Sequence, residues 1–310
     1  MSLVEDQKTK PKRKPEWLRI KLATGQACSS MREVQDVVRG KRLHTVCESA
    51  KCPNRHECWG TWKTATFMIL GNTCTRRCRF CAVGTGLPEE VDPDEPRRVA
   101  ESVAEMGLRH VVITMVTRDD LPDGGAAIVA ETVTTIREMA PDCSVEILVS
   151  DLMAEPSAVE TVVASRPEIN SHNLETVRSL TPRIRSRSDY DRSLRYLKMA
   201  KEIDPKSITK SSLMLGLGEE RSEILMAMDD LRSVGVDILN LGQYLQPTKT
   251  HAPVERYWKP EEFAELKTVA LEKGFLYCES GPLVRSSYHA GAQYDAFLKK
   301  IMADRAATEA

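Results

Sequence analysis

Apolar residues fall in short, dense runs along the middle of this chain. ATFMIL (65–70), HVVITMV (110–116), VEILVS (145–150), INSHN (169–173), SSLMLG (211–216) and ILNLGQYL (238–245) have the length and β-branched content of buried strands. Between them the apolar positions take helical spacing. Val99, Val103 and Met106 recur ahead of Gly107, and Val129, Val133, Ile136 and Ala140 repeat the pattern. Ile224, Met228 and Leu231 precede Gly235, and a last helix is predicted from Pro260 through Phe263, Leu266 and Ala270 to a stop at Gly274. Strand and helix alternate six times, which predicts a parallel sheet made of βαβ units. A closed eight-fold barrel needs more repeats. The expected fold is therefore α/β, a partial (β/α)6 TIM-like barrel, with N- and C-terminal extensions covering the barrel mouth.

The expected organisation is an N-terminal extension over 1–45, with a partly disordered basic arm, then a cysteine motif over 46–62. The barrel core follows over 63–275, and a C-terminal segment with a terminal helix over 276–310. The arm, KTKPKRKPEWLRIK (8–21), is either a solvated tail or a segment that meets an acidic partner. Over the 310 residues, 44 basic side chains nearly balance 45 acidic ones, which argues against a nucleic-acid binder. No apolar run is long enough to span a bilayer, and the first residues lack the apolar core of a secretory signal. The expected location is cytoplasmic, without membrane partners.

Nine cysteines change the picture, because six of them fall in two sets: Cys47, Cys52 and Cys58, then Cys74, Cys78 and Cys81. Such clustering in a chain that is neither short nor visibly secreted favours metal over disulfides. Cys28, Cys143 and Cys278 have no spaced partners and read as ordinary residues. The second set, CTRRCRFC, follows the first strand and so belongs at the carboxyl end of the sheet, where active sites of such folds lie. Three thiolates can hold three irons of a four-iron cluster and leave the fourth open to a substrate. Arg76, Arg77 and Arg79 are expected to surround that cluster with positive charge, and Phe80 to shield it and offer an apolar face to a nucleoside. A zinc knuckle is the alternative.

This arrangement resembles the radical S-adenosylmethionine (SAM) superfamily. The resemblance implies that the open iron binds the amino and carboxylate groups of SAM, and that the reduced cluster cleaves SAM to methionine and a 5′-deoxyadenosyl radical. It places SAM contacts at Gly216 and Gly218 of LMLGLGEE, and at Asn173 of SHNLET for the ribose. A strand-to-helix turn explains the glycines almost as well, and a turn explains Asn173 equally.

The first set, CESAKCPNRHECW, at spacing C-x4-C-x5-C, resembles the lipoyl synthase family. PEWLR, ATFMILGNTCTRRCRFCAV, SHNLETV, LMLGLGE, LGQYLQP and GPLVRSSYHAG extend that likeness across most of the chain. The resemblance implies an auxiliary four-iron cluster on Cys47, Cys52 and Cys58, with a serine oxygen from the R-S-S-Y motif as fourth ligand. By motif position the serine is Ser287, with Ser286 as the alternative. His56 as a zinc ligand, and Ser286 and Ser287 as caps of a following helix, stay open. The implied reaction inserts sulfur at carbons 6 and 8 of an octanoyl chain on a lysine of a lipoyl carrier protein, spending two SAM molecules. One cluster cleaves SAM and the auxiliary cluster donates sulfur. An electron donor such as flavodoxin or ferredoxin is implied too. Arg183, Arg185 and Arg187 form a basic patch that either docks the carrier or is a solvated loop. The rivals are another radical SAM sulfurtransferase, such as a biotin synthase-like enzyme, and a non-catalytic iron–sulfur or zinc-binding protein.

Overall fold

The computed structural model describes residues 13–19, 26–50, 52–60, 62 and 64–309. Half of the basic arm, residues 8–12 and 20–21, and the Cys28 side chain lie outside the described residues. The strands are β1 (His44–Thr45), β2 (Thr66–Ile69), β3 (Thr73–Cys74), β4 (Gly84–Thr85), β5 (His110–Met115), β6 (Ser144–Leu148), β7 (Ile169–Ser171), β8 (Ile208–Leu215), β9 (Ile238–Gln243) and β10 (Tyr277–Gly281). The helices are α1 (Gln26–Gly40), α2 (Val46–Ser49), α3 (Arg55–Gly60), α4 (Glu95–Glu105), α5 (Ala126–Met139), α6 (Pro156–Ala164), α7 (Thr181–Ile184), α8 (Tyr190–Ile203), α9 (Arg221–Ser233), α10 (Pro260–Glu272) and α11 (Ala290–Glu309). None of the described helices is long and apolar enough to cross a membrane.

The sheet runs β1-β2-β5-β6-β7-β8-β9-β10 and is open at both ends. Every pairing is parallel except that of the short edge strand β1 with β2. Parallel neighbours need a crossover, and a helix supplies each one. The strands are buried on both faces, so they read as near-continuous apolar runs rather than as an alternation. The C-terminal segment adds β10 as a further parallel strand. Its sequence, YCESG, carries too little β-branched character to announce one.

Helix boundaries follow local chemistry. The Asp189 carboxylate accepts from the Arg192 amide to open α8, Glu220 and Glu223 form a capping box on α9, and Pro260 starts α10. The C-terminal segment serves both ends of the sheet. Residues 284–287 reach the carboxyl ends of the strands. The helix that follows, α11, packs through Phe297 against Ile169 and Ile238, which lie at the amino ends. One face of the sheet also holds a fully buried ion pair, Lys210 Nζ to Glu146 Oε2 at 3.0 Å, with the Ser171 hydroxyl donating to the same carboxylate.

Candidate iron–sulfur and SAM site

The carboxyl ends of β2 and β5–β9 open on one cavity of about 540 Å³. Its size is typical of a small-molecule site. Met68, Met115, Leu148, Leu213 and Met214 give it apolar walls.

The second cysteine set reaches this cavity through a loop that is tied at many points. After β2 the backbone turns left-handed at Leu70 (φ 67°) and Gly71 (φ 87°), and the Glu95 carboxylate accepts from the Leu70 amide at 2.7 Å. Cys74 sits on β3, which pairs with β4 to close the loop. The Arg79 amide donates to the Ile184 carbonyl, and the Ala252 amide donates to the Arg79 carbonyl, both at 2.8 Å. His251 Nε2 donates to the Cys81 carbonyl at 2.9 Å.

Arg76 lines the cavity and its charge registers at Cys78, behind that of Arg185. It is buried in a fork–fork lock, with Nη2 2.7 Å from both Asp119 Oδ1 and Asp151 Oδ1. That lock also anchors the loop. The same guanidinium keeps the Asp151 carboxyl well below its usual range against the opposing effect of burial. Arg77 and Arg79 are exposed. The cation that stands beside Cys78 is Arg185, buried, donating to the Leu174 carbonyl at 3.0 Å and the Ser193 hydroxyl at 3.2 Å. The expected patch of Arg183, Arg185 and Arg187 is thus divided: Arg185 turns inward to the cavity, while Arg183 and Arg187 stay on the surface.

The first set lies across the same cavity. Cys47 is in α2, whose start is capped by the Thr45 hydroxyl accepting from the Glu48 amide at 3.3 Å. Cys58 is in α3, and the Cys52 amide donates to the Cys47 carbonyl at 3.0 Å. Cys47, Cys52, Cys74, Cys78 and Cys81 all line the cavity, with Ser286 and Ser287. Three ties bring the C-terminal motif to the first set. Asn54 Nδ2 donates to the Leu283 carbonyl at 2.6 Å, the Tyr288 hydroxyl donates to Glu57 Oε2 at 3.0 Å, and His289 Nε2 meets Glu57 Oε1 at 2.9 Å. Asn240 Nδ2 holds the Ser286 carbonyl at 2.9 Å from the other side. Neither serine caps a helix, since α11 starts only at Ala290.

The donor chemistry fits clusters better than single ions. Among the described residues no three of His, Cys, Asp and Glu gather closely enough to hold one metal ion, and His56 completes no such set. A four-iron cluster asks for something wider, because each thiolate takes its own iron. The six thiols are free, and within each set they sense one another's charge. Burial and a neighbouring cysteine push Cys47 up to about 11 and Cys81 to about 12. Burial pushes Cys78 to about 11, partly offset by Arg185. Metal binding must displace those protons.

The predicted SAM contacts divide. Phe80 and Asn173 line the cavity. Phe80 packs beside Ile184, Leu217, Tyr244 and Ala252. Asn173 Nδ2 donates to Glu175 at 3.0 Å, while its Oδ1 is buried without a partner. Gly216 and Gly218 are not on the cavity wall. Gly216 (φ 104°) is glycine because a Cβ there would strike the Gln243 side chain and the Arg256 carbonyl. The glycine that lets backbone approach closely at the cavity is Gly242, where a Cβ would strike the Val284 carbonyl. Arg185, expected on a docking patch or solvated loop, and Gly242, not singled out in the sequence, both line the cavity. The signal for Gly242 was its place in LGQYLQP.

Residues 68–231 match the Radical SAM superfamily model. A lipoyl synthase from Shouchella clausii is 59% identical over 289 residues, covering 93% of both chains. One from Bacillus cytotoxicus is 60% identical over 285 residues, covering 92% of this chain and 95% of that one. The chain belongs to the lipoyl synthase family. Among solved structures, methylornithine synthase (PylB) superposes with a TM-score of 0.51 at 13% identity, covering 82% of this chain and 76% of that one. The [FeFe]-hydrogenase maturase HydG from Carboxydothermus hydrogenoformans gives 0.53 at 12%, covering 88% and 78%. At those identities the likeness is one of fold. The lipoyl synthases, in contrast, match along nearly their whole length, which sets aside the non-catalytic and biotin synthase-like alternatives.

Proposed function

We propose that Cys74, Cys78 and Cys81 hold the SAM-binding cluster of this lipoyl synthase, and that Cys47, Cys52, Cys58 and Ser287 hold the auxiliary one. The activity is lipoyl synthesis, with SAM and two four-iron clusters as cofactors. The substrate is an octanoyl chain on a lysine of a lipoyl carrier domain, and sulfur enters at carbons 6 and 8. The observation that carries the assignment is that Cys47 and Cys52 of one set, all three cysteines of the other, and Ser286 and Ser287 face one apolar cavity, with Cys58 just behind its wall in the field of Cys47 and Cys52. When bound, the first cluster with SAM supplies a carbon-centred radical and the second supplies sulfur.

The protein's own residues hold and shelter the reactants. Met68, Met115, Leu148, Leu213 and Met214 suit an alkyl chain and exclude water from the reacting carbons. Asn173 Oδ1 is open to a ribose hydroxyl and Phe80 to an adenine face. Serine oxygen is a harder ligand than thiolate and is more easily displaced from iron, which suits a cluster that must surrender sulfur. An external one-electron donor such as flavodoxin or ferredoxin would meet the exposed Arg77 and Arg79 beside Cys78.

The test is anaerobic reconstitution, then mass spectrometry of an octanoyl-lysine peptide incubated with SAM and a reductant. Cys78→Ala should abolish SAM cleavage. Cys52→Ala should retain cleavage but yield no lipoyl peptide. Lipoyl product from the Cys52 variant would overturn the sulfur-donor assignment.

A further inference from the structure

The two cysteine sets each have a guanidinium close by, and their surroundings differ. Arg185 stands near Cys78 with a cavity-wall carboxylate, Glu175, in the same field. Arg285 stands on the cavity wall near Cys52, the one charged neighbour that registers at its position. Among the described residues no carboxylate comes within ion-pair reach of Arg285, and its guanidinium donates from Nη1 to the Val284 carbonyl at 2.6 Å. Gly242 clears the space: a side chain there would crowd both the Val284 carbonyl and Arg285 Nη1. Arg285 is half-buried, and a cation held partly out of solvent without a counter-ion is costly and persists where it serves a bound anion.

We propose that Arg285 is the built-in counter-charge of the auxiliary cluster, and that it raises that cluster's reduction potential relative to a neutral side chain. The inference rests on the ligand reading above. A cluster on three thiolates and a serine oxygen carries net negative charge, and charge and hydrogen bonding beside the sulfurs are the levers by which a protein sets its potential. Arg185 is partly balanced by Glu175 and Arg285 is not. The fold therefore biases the auxiliary site, more than the SAM site, toward holding an added electron.

The experiment uses the full chain carrying Cys78→Ala, so that the auxiliary cluster is the one observed. Arg285→Gln and Arg285→Lys are added to it separately. Each protein is reconstituted anaerobically, assayed for iron and sulfide, and titrated with dithionite under electron paramagnetic resonance. Arg285→Gln should make reduction roughly tenfold less favourable, a fall of about 59 mV for one electron, while Arg285→Lys keeps most of the parent value. Equal midpoints in parent and Gln variant would overturn the proposal, as would loss of the cluster from both variants, which would mark Arg285 as packing. If the Cys78→Ala parent itself forms no cluster, the ligand reading fails and takes this inference with it.

Discussion

His172 is a neutral imidazole in this fold. Its Nδ1–H donates to the Val149 carbonyl at 2.8 Å, and burial, helped by Arg185, lowers its pKa from 6.5 to about 4. Below about pH 6.5 the unfolded chain binds a proton that the folded chain refuses, so this residue's contribution favours unfolding progressively from about 6.5 down to 4. The loss is on the order of 3 kcal/mol across that window, and it vanishes above it. A thermal-midpoint series from pH 7 to 4 should show His172→Gln falling less steeply than the parent; parallel curves would refute the assignment. A second residue-scale prediction concerns the buried pair under the cavity. Glu146 shares a face of β6 with Leu148, and Lys210 shares a face of β8 with Ser212, so the pair lies one pleat below the cavity wall. Lys210→Met would strand a buried carboxylate and cost about 3–5 kcal/mol, while the double change with Glu146→Leu should recover most of it, as urea midpoints would report. At this scale the cysteines were readable, because spacing and residue type carry their chemistry. The inward turn of Arg185 was not: the sequence TPRIRSRSD offers three similar arginines, and only tertiary packing decides which one is enclosed.

Among elements, the strands of the core were readable because parallel strands buried on both faces are written as unbroken apolar runs. β10 was not, since YCESG takes its register from β9 rather than from its own propensity. Helix α8 was expected after the arginine loop but not bounded, because the charge of DYDRSLRYLKMAKEI obscures the buried stripe of Tyr190, Leu194, Leu197 and Ala200. The two-glycine signal of LMLGLGEE does mark a close approach, that of Gly216 to Gln243 and Arg256, but not the one at the cavity wall, because the partner that makes Gly242 necessary, Val284, stands some forty residues away in sequence. This leads to a prediction for the β9–tail contact. Gly242→Ala would push the Val284 carbonyl, and the serines after it, off the cavity wall. Iron content after reconstitution should fall from about eight toward about four per chain, with SAM cleavage persisting and sulfur insertion lost. Full iron loading would show that the tail can shift without harm.

For the whole molecule, the C-terminal segment closes the sheet at one end and furnishes the cavity at the other. Removing residues 290–309 would bare Ile169 and Ile238 at the amino ends of the strands. We expect a lowered thermal midpoint and binding of a hydrophobic dye, with the Cys74–Cys81 loop still able to take iron because its ties run to α7 and the loop after β9 rather than to α11. A midpoint unchanged by the truncation would show that the helix is ornamental. The closing contact between Tyr288 and Glu57 joins positions 231 residues apart. On the ligand assignment proposed above, the first cysteine triplet waits through nearly all of translation before its serine emerges. A chain cut short before Ser287 would then carry the Cys74, Cys78 and Cys81 loop with its sulfur site unfinished. Loading the auxiliary site only after release would make completion of the chain a checkpoint on iron delivery.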